Sequence, residues 1–286
     1  MPDHQSSAGP LLSVSGLSVV YNQAGRHASF KAVEDVSFNL VRGETLALVG
    51  ESGSGKTTIA RAIQGLLQPT TGTIRLKGEE VSTRRLAGRR ALAAIVQTVF
   101  QDPFGSLNPS RDVGSIIEEG LLVQERGISR DERRRRVAAE LDRVGLPRDA
   151  DRRKPSEFSG GQRQRIAIAR AIITRPPLVI CDEAVSALDL SVQAQVLELL
   201  AELQSELGIA YLFITHDLAV VRHIADQVAV LERGRIVDVF SAGEYDSATW
   251  SPYTRRLFDA APVPDPERQR ARRAAFEALA AQTAAH

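Results

Sequence analysis

The chain has a single cysteine, Cys181, in 286 residues. A disulfide within the chain is therefore excluded, and so is a metal cluster built on the cysteines of one copy. A lone thiol fits a reducing compartment. The sequence has no apolar run approaching the roughly 18 residues that a membrane helix needs. It has no excess of either charge, with 36 Lys and Arg against 35 Asp and Glu. No global field points to nucleic acid or to an anionic membrane. The N-terminal Met1-Pro2-Asp3-His4-Gln5 lacks a basic stretch followed by an apolar one, so no secretory signal is expected. No internal repeat is visible. What is present is ordinary for a globular domain: 43% hydrophobic and 25% charged residues. The length suits one large domain or two small ones. Work at a membrane would be done from the cytoplasmic side, through partners.

Periodicity divides the chain. Residues 1–10 are small and polar and are expected to be disordered. Leu11 to Tyr21 reads as a strand, a second strand lies around Val36 to Leu40, and Val41-Arg42-Gly43-Glu44 reads as a turn. Thr45 to Val49 is a short apolar strand ending in a glycine-rich loop. Ile59, Ile63, Leu66 and Leu67 then recur at helical spacing, and Pro69 stops that helix. Residues 102–158 read as a small helical subdomain. Ser129 and Glu132 have capping-box spacing, with Val137, Leu141 and Val144 as an apolar stripe behind them. The Arg133–Arg136 run could be a phosphate-binding patch, but a solvated helix face explains it without a ligand.

After residue 160 helix and strand alternate. Ile166, Ile168, Ala169 and Ile173 belong to one helix, and Leu178 to Cys181 to a buried strand. Val192, Val196, Leu199, Leu200, Leu203 and Leu207 mark a long amphipathic helix closed by Gly208, and Tyr211 to Thr215 is a further strand. Strand, crossover helix and strand in succession predict a parallel sheet. Residues 227–240 read as a hairpin turning near Gly234. From Ser241 onward the chain reads as an appendage with an Ala/Arg-rich end, either a loose helix or disordered.

Three segments carry chemistry. Gly50-Glu51-Ser52-Gly53-Ser54-Gly55-Lys56-Thr57, followed by Thr58, fits the pattern of two glycines bracketing four residues and then Lys and Thr. Glycines let backbone N–H groups wrap phosphates, and the following helix points its positive end at them. Lys56 would reach the β- and γ-phosphates of ATP, and Thr57 would offer its hydroxyl to Mg²⁺. Second, the strand Leu178-Val179-Ile180-Cys181 delivers Asp182 and Glu183 to its C-terminal end. Asp182 would join the magnesium shell, and Glu183 would polarise the attacking water as general base. Cys181 itself reads as a small buried hydrophobe. Third, Ser159-Gly160-Gly161-Gln162 opens a helix and makes a candidate anion-binding start.

Together these segments resemble ABC ATPases, a family in which the third is the signature motif. The resemblance covers roughly residues 11–260. It implies that the signature of one subunit closes over the γ-phosphate held by another, so that one chain cannot complete an active site. Gln101, in Val99-Phe100-Gln101-Asp102-Pro103, resembles the glutamine that joins the metal site to the helical subdomain. Ser186-Ala187-Leu188-Asp189 resembles the loop that communicates across the dimer. His216 resembles the histidine that contacts the γ-phosphate, and Tyr21 the aromatic that stacks on adenine, although Tyr21 also reads as an edge or core tyrosine.

The resemblance implies an α/β fold: a RecA-like P-loop NTPase core over 11–101 and 159–240, with an antiparallel β portion, an inserted helical subdomain at 102–158 and a C-terminal extension at 241–286. Gln101 to Pro109, and Ser251-Pro252-Tyr253-Thr254-Arg255-Arg256-Leu257 with the prolines after it, resemble dipeptide, oligopeptide and nickel importers, with Ser251 where those often have His. The expected function is ATP hydrolysis by a dimer powering peptide import. Nickel-chelate import is the alternative, and a non-transport ABC ATPase or a regulator without turnover the remoter ones. Expected partners are membrane permease subunits, a second similar ATPase or a second copy, and indirectly a solute-binding protein, with no nucleic acid. The cofactors implied are ATP and Mg²⁺. No iron–sulfur cluster is expected, because the extension has no cysteine. The expected place is the cytoplasmic face of the cell membrane, as a peripheral subunit.

Overall fold

Unbroken apolar strands and alternating ones mark two kinds of sheet, because a strand covered on both faces needs no polar side. The computed structural model describes residues 9–22, 29–81, 86–243 and 249–260. Its elements run β1 (Leu12–Asn22), β2 (Ser29–Leu40), β3 (Thr45–Val49), α1 (Lys56–Ile63), β4 (Thr71–Leu76), β5 (Glu79–Glu80), α2 (Leu86–Ile95) and β6 (Val96–Phe100). A helical stretch follows: α3 (Pro103–Ser106), α4 (Val113–Gln124) and α5 (Arg130–Arg143), with single 3-10 turns at Arg148–Arg152 and Pro155–Glu157. The chain ends with α6 (Gly160–Ile172), β7 (Leu178–Asp182), α7 (Leu190–Leu207), β8 (Ala210–Thr215), α8 (Leu218–Ile224), β9 (Gln227–Glu232), β10 (Arg235–Ser241) and α9 (Pro252–Ala260). The loose N-terminus and the Ala/Arg-rich end expected from composition lie largely outside the described residues.

The six-stranded sheet has the order β10-β9-β3-β8-β7-β6, parallel except for β10. The second sheet, β2-β1-β4-β5, is antiparallel. Alternate residues of each central strand serve two cores. Val179 and Cys181 of β7, and Tyr211 and Phe213 of β8, face the helical side. Leu178 and Ile180, with Leu212 and Ile214, face the core shared with the antiparallel sheet. The α/β core, the antiparallel portion and the inserted helices expected from the sequence are all present. The helical stretch does not have a core to itself. Ile116 and Ile117 of α4 and Val137 and Leu141 of α5 join Ile166 and Ile168 of α6 in one buried cluster. Cys181 is fully buried, and burial pushes its thiol well above the ordinary range.

Three local expectations are corrected. The first helix ends at Ile63 rather than near Pro69. Gly65 takes φ +66°, the N–H groups of Leu66 and Leu67 turn back to the Arg61 carbonyl, and Leu66 is left 74% exposed. β2 begins seven residues before Val36: Ser29, Phe30, Lys31 and Val33 pair with Asn22, Tyr21, Val20 and Val19 of β1, which carries the strand through a mixed segment. Half of the capping box forms at α5. Ser129 Oγ accepts from Glu132 N, but the Glu132 carboxylate goes to Arg135 and Arg136. Those pairings, the Arg136 hydrogen bond first, hold Glu132 below the usual carboxylate range. Arg133 is largely buried on Glu118, while Arg135 and Arg136 pair with Glu132 and Glu125 toward the surface, so most of the run is engaged with carboxylates of this chain.

Candidate active site

Parallel strands send their C-terminal ends to one edge, and groups just beyond those ends meet there whatever their separation in sequence. Val49 of β3 lies beside Thr215 of β8, Ile214 beside Asp182 of β7, and Asp182 beside Phe100 of β6. Gly50, His216, Glu183 and Gln101 each follow one of these strands directly.

The loop from Gly50 to Gly55 needs its glycines for space and for dihedral angles. A Cβ at Gly50 would stand 2.2 Å from the Leu231 carbonyl oxygen, and one at Gly55 would stand 2.6 Å from that of Ala32. Gly55 also has φ +110° and starts α1. Ser54 N–H donates to Glu51 O, and Ser54 O accepts from Gly234 N, so the loop is tied to the β9–β10 turn. Lys56 is buried and folded back into the loop. Its Nζ donates to Gly50 O at 2.7 Å and to Glu51 O at 2.8 Å, with Ser54 Oγ at 3.4 Å. Burial pushes its pKa down, against the pull of Glu183, Asp182 and Glu51. Ser52, Gly53, Thr57 and Thr58 complete the loop and the first turn of α1.

Asp182 is the last residue of β7. Burial first, and then the neighbouring Glu183, raise its pKa, while Lys56 and Arg61 oppose them. Glu183 takes φ +51°, a left-handed conformation rare for a residue with a side chain. Its N–H donates to Ile214 O, and its carbonyl accepts from Ser186 N and Oγ, so the kink is held from both sides. The kink brings Glu183 Oε1 to 3.2 Å from Nδ1 of the exposed His216. Two neighbouring carboxylates, with Lys56 and Arg61 as the cations acting on Asp182, stand at this edge. The all-oxygen set of Thr57, Gln101 and Asp182 suits a hard divalent cation.

Ser159 and Gln162 form a reciprocal capping box at the start of α6. A Cβ on Gly161 would stand 2.4 Å from Val192 Cγ1, so α6 and α7 approach closely there. Gly160 faces Leu188, next to Asp189. Asp189 caps α7, accepting from Val192 N and Ser191 Oγ, and the first of these bonds holds its carboxyl low. These two helix starts therefore sit together. Among the described residues no hydrogen bond joins Ser159–Gln162 to the 50–58 loop. Tyr21 lies at the half-exposed end of β1 opposite Phe30.

One residue at the loop was missed. Glu51 N–H donates to the Tyr253 hydroxyl at 3.1 Å, across 202 positions of sequence. Tyr253 belongs to α9, which reads from sequence only as part of an extension. The available signal was the aromatic set Phe240, Trp250 and Phe258, whose rings stack at 4.8–5.7 Å and hold α9 to the hairpin.

Comparison with known proteins gives consistent matches. The ABC transporter family model matches residues 33–186. The oligopeptide transport ATP-binding protein OppF of Escherichia coli is 49% identical over 239 residues, spanning 84% of this chain and 72% of that protein. OppF of Haemophilus influenzae is 47% identical over 85% of this chain and 73% of its own length. Among solved structures, the dimeric post-hydrolysis state of the ATP-binding cassette MJ0796, bound to ADP and Pi, aligns with TM-score 0.73. It is 28% identical over 81% of this chain and 98% of that one.

Proposed function

This chain belongs to the ABC transporter family, and on that footing we propose that it is the ATP-hydrolysing subunit of a peptide importer, working as a dimer. The observation that supports the chemistry is the meeting of the 50–58 loop, Asp182, Glu183, His216 and Gln101 beyond the ends of adjacent parallel strands. Phosphates of ATP lie against the loop amides and the start of α1. Lys56 leaves the Gly50 and Glu51 carbonyls for the β- and γ-phosphates. Tyr21 stacks on the adenine. Glu183 orients the attacking water and takes its proton, and His216 contacts the γ-phosphate and steadies Glu183 through the Nδ1 contact. Thr57, Asp182 and Gln101 would hold Mg²⁺, which would supply neutralisation of phosphate charge.

Ser159, Gly160, Gly161, Gln162 and Asp189 act on the nucleotide held by the opposite subunit. The meeting of the α6 and α7 starts at Gly160, Gly161, Leu188 and Val192 supports their acting as one surface. Ser159→Arg is expected to disable hydrolysis by placing a bulky cation at the α6 start. In a homodimer, mixing it with Lys56→Ala is expected to recover activity through one intact composite site. ATPase assays of mixtures across several ratios check this; a mixture no better than either variant alone counts against shared sites in two copies of this chain.

The core of 11–101 and 159–240 carries the nucleotide, 102–158 relays closure to permease subunits through the Gln101 loop, and 241–286 is an extension. Among the described residues no helix is long and apolar enough to cross a membrane; membership of the transporter family supports attachment at the cytoplasmic face through those subunits. The relatives named for oligopeptide transport support peptide cargo. Deleting the gene is expected to abolish uptake of labelled di- or oligopeptides and to spare nickel. Normal peptide uptake with impaired nickel uptake would overturn that choice. The working pair is this chain with a second, non-identical ATPase, which should co-purify; a transporter holding two copies of this chain would refute the pairing.

A further inference from the structure

We infer that Tyr253 is a positioning residue for the phosphate loop, through which α9 keeps that loop ready for nucleotide. The inference rests on the proposed role of the 50–58 loop. The peptide units around Gly50 and Glu51 are held on both sides. On one side Lys56 Nζ takes their carbonyls. On the other, Glu51 N–H, which a phosphate-facing loop would leave without a partner, donates to the Tyr253 hydroxyl.

The tyrosine is a firm anchor because its helix is docked independently of the loop. Ser251 caps α9 by accepting from Thr254 N, and both Ser251 N and the Thr254 hydroxyl donate to Asp238 of β10. Thr254 is fully buried, and Phe258 packs on Phe240 and Trp250. Burial raises the phenol's pKa, so the hydroxyl stays neutral at working pH. A loop held in one conformation binds without reordering first; a loop that is ready only part of the time binds more weakly by that fraction.

Tyr253→Phe tests this in the full chain, because it removes the acceptor and keeps the ring. The KM for ATP and the calorimetric Kd for ATP are expected to rise about five- to tenfold, the effect of leaving one partly buried N–H unpaired. The kcat should stay within about twofold, and the melting temperature should hardly move. Thr254→Val, which loosens α9 on Asp238, should shift KM the same way, and the two changes combined should fall short of additive because they act through one contact. Unchanged KM and Kd in Tyr253→Phe, or a fall in kcat alone, would overturn the inference while leaving the nucleotide site standing. A wild-type chain that binds no ATP would overturn the reading of the loop, and this inference with it.

Discussion

Glu183→Gln is expected to reduce ATP turnover by about 10²–10⁴-fold, the range that a positioned general base contributes, while ATP binding persists. The substitution keeps size and shape and removes the charge. Its backbone should hold the same φ of +51°, since the bonds to Ile214 and Ser186 involve main-chain atoms of Glu183. What is lost is an anion able to orient water and accept its proton. The 50–58 loop, Lys56 and both helix starts are untouched, so ATP should still draw two subunits together. With hydrolysis blocked, the ATP-bound dimer should live longer than that of the wild type. Steady-state phosphate release measures the first effect, and size-exclusion chromatography with ATP and Mg²⁺ the second. Turnover near the wild-type rate would remove Glu183 from the role of base and leave His216 to be tested next.

Lys56→Ala is expected to act one step earlier, on binding. The Lys56 ammonium is buried, interacts with both Asp182 and Glu183, and with Arg61 offsets the rise at Asp182. Its loss removes a charged hydrogen bond to phosphate, about ten- to hundredfold in affinity for a contact of this kind. It also leaves Gly50 O and Glu51 O without the donor they have here. A further effect follows at Asp182, whose pKa is already raised by burial and by Glu183 and is lowered by Lys56. Without the lysine that carboxyl rises further and holds a cation less well at the acid end of the working range. ATP affinity should therefore fall, and fall more steeply as pH is lowered than in the wild type. Calorimetric titration at several pH values checks both parts; unchanged affinity would contradict the assignment of Lys56.

The chain itself determined whatever depends on adjacent residues. A phosphate loop needs glycines and a lysine at fixed spacing within one short segment, so Gly50 to Thr57 is legible as written. The same holds for Asp182-Glu183 after an apolar strand and for Ser159 to Gln162 at a helix start. The succession of strand, crossover helix and strand also announced a parallel sheet, and Val179, Cys181, Leu212 and Ile214 are buried in it. Periodicity records which side of a segment is buried, not what it is buried against. Strand pairing decided that β2 begins at Ser29, because β1 supplies backbone partners from Val19 to Asn22 for a segment too short to declare itself alone. A backward turn at Gly65 ended α1 before Leu66 could reach the core. Competition from Arg135 and Arg136 took the Glu132 carboxylate away from its cap. The register of β3, β6, β7 and β8 brought Gly50, Gln101, Glu183 and His216 to one edge. Tyr253 is the extreme case. Its hydroxyl meets Glu51 because three aromatic rings and Asp238 fix α9 against the hairpin, and those aromatics mark in the sequence that α9 docks but not that it docks at the loop.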